Sequence, residues 1–164
     1  MSSWRNRIVG EGMADPDDLL DNPANFRRHG DSQRLAMDGA LTELGWIQRV
    51  IVNRTTGRII DGHLRAELAR REGQQVPVLY VDLTEDEERV ALATVDPIAA
   101  MAETDQTALD ELLDSIEVTD PALEAMLDEL RAGGEDNFGP GGENDQGRLD
   151  QKATHTCPNC GHEF

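Results

Sequence analysis

The run Ile59-Ile60-Asp61-Gly62-His63-Leu64-Arg65-Ala66 constrains the fold of this chain more than any other stretch. It reads as a short buried strand that turns at Asp-Gly directly into a helix. Such a junction directs the free N–H groups of the first helical turn, and the positive end of the helix dipole, toward one spot. Gly62 lets an anion approach the backbone closely, Arg65 places a fixed charge one turn later, and His63 titrates near neutrality. On this reading residues 61–65 form a small phosphate cradle. A plainer reading stays open beside it, in which His63 bonds its own loop and Arg65 belongs to an ion pair.

The flanking residues extend the junction into one small α/β unit. Residues 1–14 have mixed character and are expected to form a flexible N-terminus. Leu19 and Leu20 lead into the polar stretch Asn22-Pro23-Ala24-Asn25-Phe26-Arg27-Arg28-His29. Its proline is incompatible with a central strand. Asp31 or Ser32 is expected to cap a helix running through about Leu44, with Leu35, Leu41 and Leu44 on its apolar face and Gly45 closing it. Strands follow over 49–53 and 58–60, then a helix over 62–72 and a strand over 76–81. Thr84-Glu85-Asp86-Glu87 reads as a capping box for a helix to about residue 95.

Charge divides the chain. The formal net charge is −18, yet residues 1–89 carry 12 basic against 16 acidic groups, whereas residues 90–164 carry 3 against 17. Only the first part has the cations to face a phosphate backbone. Beyond Pro97, Leu109, Leu112, Leu113 and Ile116, then Leu123, Met126, Leu127 and Leu130, recur at helical spacing. Asp120-Pro121 starts the second run. These acidic amphipathic helices (104–132) do not fit a helix-turn-helix, whose recognition helix needs basic and amide side chains. Residues 133–153 have linker composition. In the tail, 154–164, Cys157-Pro158-Asn159-Cys160-Gly161 has the form of a zinc knuckle. His155 and His162 are candidates to complete its ligands, and two chains sharing one metal as a homodimer would do so too. The pair is too close for an ordinary structural disulfide, and there is neither an 18-residue apolar run nor a secretion signal. The expectation is a cytoplasmic protein that does not enter membranes.

Four blocks in order resemble the ParB/sulfiredoxin-like domain, often called the ParB-like nuclease domain. They are Asn22-Pro23-x-Asn25-x-Arg27, Leu44-Gly45-Trp46-Ile47-Gln48, Ile59-Ile60-Asp61-Gly62-His63-x-Arg65 and Val76-Pro77-Val78. The resemblance covers about residues 15–103 and implies an α/β (α+β) domain of mixed short strands and helices. Asp96-Pro97-Ile98-Ala99-Ala100-Met101-Ala102 is similar to a variant found in phage and prophage proteins. ParB partition proteins bind CTP through the corresponding turn and Asn-Pro-x-x-x-Arg block. The resemblance therefore implies phosphate-binding roles for Asn22, Arg27, Gly62, His63 and Arg65, with CTP or another nucleotide, and Mg, as ligands. The partition proteins read Gly-Glu-Arg-Arg where this chain has Gly62-His63-Leu64-Arg65. The lost Glu and Arg remove charge that would organise a triphosphate and its metal, so binding is expected rather than CTP hydrolysis. Sulfiredoxin chemistry is excluded, because the turn has no cysteine. The implied role is nucleotide or nucleic-acid phosphate binding in phage or mobile-element DNA partition, replication or modification. One alternative is a weak metal-dependent nuclease or nucleotide hydrolase using His63 and Asp61. Another is a non-catalytic adaptor that docks a DNA methyltransferase or a replication protein.

Overall fold

The computed structural model describes residues 4–132. The linker and the knuckle residues Cys157, Cys160, His155 and His162 lie outside the described residues. Val50–Asn53 (β2) and Ile59–Asp61 (β3) form an antiparallel hairpin whose inward side chains are β-branched: Val50, Val52 and Ile59 are each at most 1% exposed. The chain then enters helix α2, His63–Glu72, and returns as β4, Val76–Val81, parallel to β2. Val76 and Val78 pack with the hairpin, with Leu19 and with Ala66 and Ala69 of α2 to make the core. Trp46 lies partly buried against this cluster, a packing role.

Residues expected to be flexible instead contain a strand. Ile8–Ala14 (β1) pairs antiparallel with β4, giving a four-stranded mixed sheet of order β1-β4-β2-β3. The alternation that would reveal it is missing, because Gly10 and Gly12 stand opposite Tyr80 and Val78. The main chain, not an apolar face, holds β1 in place. Arg7, just before β1, completes the attachment with two bonds to the Glu87 carboxylate, at 3.0 and 2.8 Å.

Helix α1, Asp31–Leu44, ends where expected but starts a residue or more early and lacks the expected cap and face. Gly30 is the N-cap, without a side-chain bond, and Leu35 and Leu44 are exposed. The face that packs centres on Gly39. Helix α3, Glu85–Ala100, starts with the expected capping box and runs on through Pro97, beyond residue 95. A proline biases a helix toward ending without compelling it, and here the last turn continues into solvent, with Ile98 and Met101 exposed. Helices α4, Gln106–Asp114, and α5, Pro121–Arg131, occupy the two acidic runs.

The attachment of α5 explains the glycine inside α1. The Asp120 carboxylate caps α5, accepting from the N–H groups of Ala122 and Leu123 at 2.9 Å each. It lies against Gly39, where any Cβ would fall on the carboxylate. Glu43 adds bonds from Thr119 Oγ1 and from Asp120 N, each at 2.6 Å, which hold its carboxyl below the usual range. Among the described residues no helix is long and apolar enough to cross a membrane.

Candidate functional site

The Asp61–Arg65 turn is built as a strand-to-helix junction, and its glycine is required by the fold. Gly62 has φ +90°, a region that residues with a Cβ rarely adopt. An added Cβ would also meet Val50 Cα, Val50 Cγ2 and Arg65 Nη2 at 3.2 Å each. The close approach at Gly62 is thus to β2 and to Arg65. With no side chain capping α2, its first N–H groups lack intrahelical partners.

Arg65 does not stand free as a phosphate ligand. It is 8% exposed. Its Nη2 bonds Asp61 Oδ2 at 2.9 Å and its Nη1 bonds Gln48 Oε1 at 2.5 Å. The plainer reading of Arg65 fits this geometry: a clamp tying the end of β3 and the residues before β2 to the first turn of α2. Asp61 is engaged in the same contact through Oδ2.

Asn22 is likewise engaged elsewhere. It is buried, its Nδ2 donates to Glu88 Oε1 at 2.9 Å, and its Oδ1 accepts from Ala24 N at 3.0 Å. Glu88, on α3, is the centre of a buried polar hub. Its Oε2 also accepts from Asn53 Nδ2 at 2.6 Å and from Thr56 Oγ1 at 2.5 Å, and Arg58 Nη1 lies 3.6 Å from Oε1. Burial pushes the Glu88 pKa up, but the bonds from Thr56, Asn53 and Asn22, with the Arg58 charge, outweigh it and leave the net shift downward. The hub joins the Asn-Pro segment, the β2–β3 hairpin and α3. Nothing in the local sequence signals it, since Glu88 is one of four consecutive acidic residues.

Beside the unpartnered Nε of Arg65, the turn carries His63, with Arg27 close enough to act on its charge. His63 is partly buried, and its Nε2 has no hydrogen-bond partner. Burial is the main cause lowering its pKa; Asp21 and Asp61 oppose the shift, while His29 and Arg27 add to it. The imidazole is therefore neutral at pH 7. Arg27 stacks on Phe26, with 4.9 Å between its guanidinium carbon and the ring centroid, and its Nε meets Asp96 Oδ2 at 2.9 Å. Arg27 Nη2 is buried without a partner. Asp96, in α3, is a partner of Arg27 that nothing in the local spacing points to. Buried donors left unpaired are costly, on the order of 1–3 kcal/mol each. An anion supplying acceptors to Arg27 Nη2, His63 and the α2 N–H groups would remove that cost. A divalent metal fits less well, because Asp61 faces Arg65 and Asp96 faces Arg27. Among the described residues no group of three or more His, Cys, Asp or Glu gathers to hold one.

No family model matches the chain, and no curated protein matches it. Among solved structures it is similar to the C-terminally truncated chromosome-partitioning protein ParB of Caulobacter crescentus, complexed with CTP-gamma-S. That match has 20% identity over 78% of this chain and 73% of the other, with a TM-score of 0.49. It is also similar to a pNOB8-like ParB N-domain, at 18% identity over 69% of this chain with a TM-score of 0.48, and to a C2221 form of a Pnob8-like ParB-N domain, at 17% over 68% with a TM-score of 0.46. The chain spans 45% and 47% of those two chains. The likeness is confined to the outline of the fold.

The acid dependence of stability follows from the pairs on α3. Two bonds from Arg7, with the Thr84 backbone, lower the Glu87 pKa to about 2, and Glu88 is shifted the same way. A carboxylate whose pKa is depressed by folding stabilises the protein above its unfolded value and loses that contribution as pH falls through the folded value. Urea unfolding should therefore show stability declining from about pH 4.5 toward 2. Glu87→Gln should give a shallower decline, with the two curves converging near the acid end. Parallel curves would show that the Arg7–Glu87 pair contributes nothing.

Proposed function

We propose that this chain binds the phosphate of a nucleotide or nucleic acid at the N-terminus of α2. The ligand atoms would meet the unpaired nitrogens of Arg27 and His63 and the free N–H groups of the first turn. The single observation supporting this reading is that three buried side chains, Arg27, His63 and Arg65, each keep an unpartnered nitrogen beside an uncapped helix start. Arg65 and Gly62 support the site by shaping the turn, and Asn22 does so through Glu88. The setting, DNA partition, replication or modification in a phage or mobile element, rests on the sequence resemblance.

Isothermal titration with CTP, the other three nucleoside triphosphates, triphosphate alone and a short duplex DNA tests the site and ranks its ligands. Arg27→Ala and His63→Ala should each weaken binding about tenfold to a hundredfold, as expected for losing a charge-assisted hydrogen bond. An anion favours the protonated imidazole, whose pKa burial holds below its ordinary value, so wild-type affinity should rise as the pH is lowered and the imidazole takes up a proton. That pH trend should disappear in His63→Ala. No heat with any of these ligands, or wild-type affinity in both variants, would overturn the proposal.

A further inference from the structure

We infer that the groove between α4 and α5 docks a basic amphipathic helix of a partner protein. The two helices enclose a cavity of about 330 Å³. Leu113, Ile116 and Leu127 give it an apolar lining, and Glu117, Glu124 and Asp128 stand around them. None of these three carboxylates is ion-paired among the described residues, whereas Arg131, the cation at the groove, is held by Asp114 at 2.5 Å. The groove therefore presents net negative charge around aliphatic surface. Leu112 on α4 and Leu130 on α5 are exposed as well. The start of α5 is fixed to α1 through Asp120, so the groove rests on an anchored helix.

Charge selects the occupant. Residues 133–164 of this chain carry six acidic groups against Arg148 and Lys152, which sets them against an acidic groove. A second copy would bring the same carboxylates face to face, and nucleic acid would be repelled. A helix with Leu or Ile on one stripe and Arg or Lys beside it satisfies both parts of the surface, in the manner of helix-in-groove recognition.

The test uses the full chain and an 18-residue synthetic helix with a leucine stripe flanked by arginines. The control peptide has the same composition, with its leucines spread around the helix. Amide chemical shifts of the labelled protein should change along α4 and α5 with the striped peptide. Affinity should fall at least tenfold between 50 and 300 mM NaCl, and at least tenfold in the combined variant Glu117→Gln, Glu124→Gln, Asp128→Asn. These side chains are exposed, so helical circular dichroism should be unchanged, and Ile116→Ser tests the apolar part separately. Equal binding of the control peptide, shifts centred elsewhere, or wild-type binding by the triple variant would overturn the inference. So would nuclear Overhauser contacts from residues 133–164 to the groove, or dimerisation through it.

Discussion

Glu88→Ala should lower the thermal unfolding midpoint by 10 °C or more and remove about 3–5 kcal/mol of stability, the range for breaking a buried charged network from one side. The substitution leaves Asn22, Asn53 and Thr56 donating into an empty space and leaves Arg58 without its carboxylate. Against a typical total of about 5–15 kcal/mol, that approaches the stability of the whole domain. Glu88→Gln keeps the shape but turns a donor toward donors, and should fall between wild type and Ala. Urea and thermal unfolding of the three proteins at pH 7 measure the series. A loss below about 1 kcal/mol for Ala would mean that water replaces the carboxylate and that the hub is not a structural junction.

Arg65→Ala separates clamp from ligand. As a clamp, its removal takes away a largely buried guanidinium with its bonds to the part-exposed Asp61 and the exposed Gln48, and should cost about 1–3 kcal/mol. Arg65→Lys cannot span both partners and should lie between. Under conditions where the variant remains folded, its affinity for triphosphate should stay within about tenfold of wild type, because neither terminal nitrogen is free for a phosphate in the first place. The opposite pattern, near-native stability with binding lost by a hundredfold or more, would return Arg65 to the role its place in the motif suggests. Urea unfolding combined with titration calorimetry reads both quantities on one preparation.

The residues differ in how much they reveal in sequence, and the difference has a physical origin. The strand-glycine-helix junction, β4 and the Thr84 and Asp120 caps are legible because each is encoded within a few positions. An apolar run, a glycine at positive φ or a capping carboxylate acts on its immediate neighbours. Strand β1 is hidden because its pairing uses main-chain groups that every residue carries, and its glycines erase the alternation. The partners of Arg65 and Asn22 are hidden for another reason. Gln48 lies 17 residues from Arg65 and Glu88 lies 66 from Asn22, separations that no local spacing rule spans. The motif thus identifies residues that matter at the turn while leaving open whether each faces a ligand or the interior. Three of them, Asn22, Gly62 and Arg65, face the interior.

Strand β1 also acts as a guard. Without it, β4 would become the margin of the sheet, with an unsatisfied row of main-chain donors and acceptors beside the apolar residues Val76, Val78 and Leu79. Such a margin invites pairing with other chains. The strand that replaces it at the rim carries Glu11, paired to Arg49, and an irregular register between Ile8 and Gly10, both poor templates for further growth. Trimming the first fourteen residues as dispensable would therefore be expected to trade a well-behaved protein for an aggregating one.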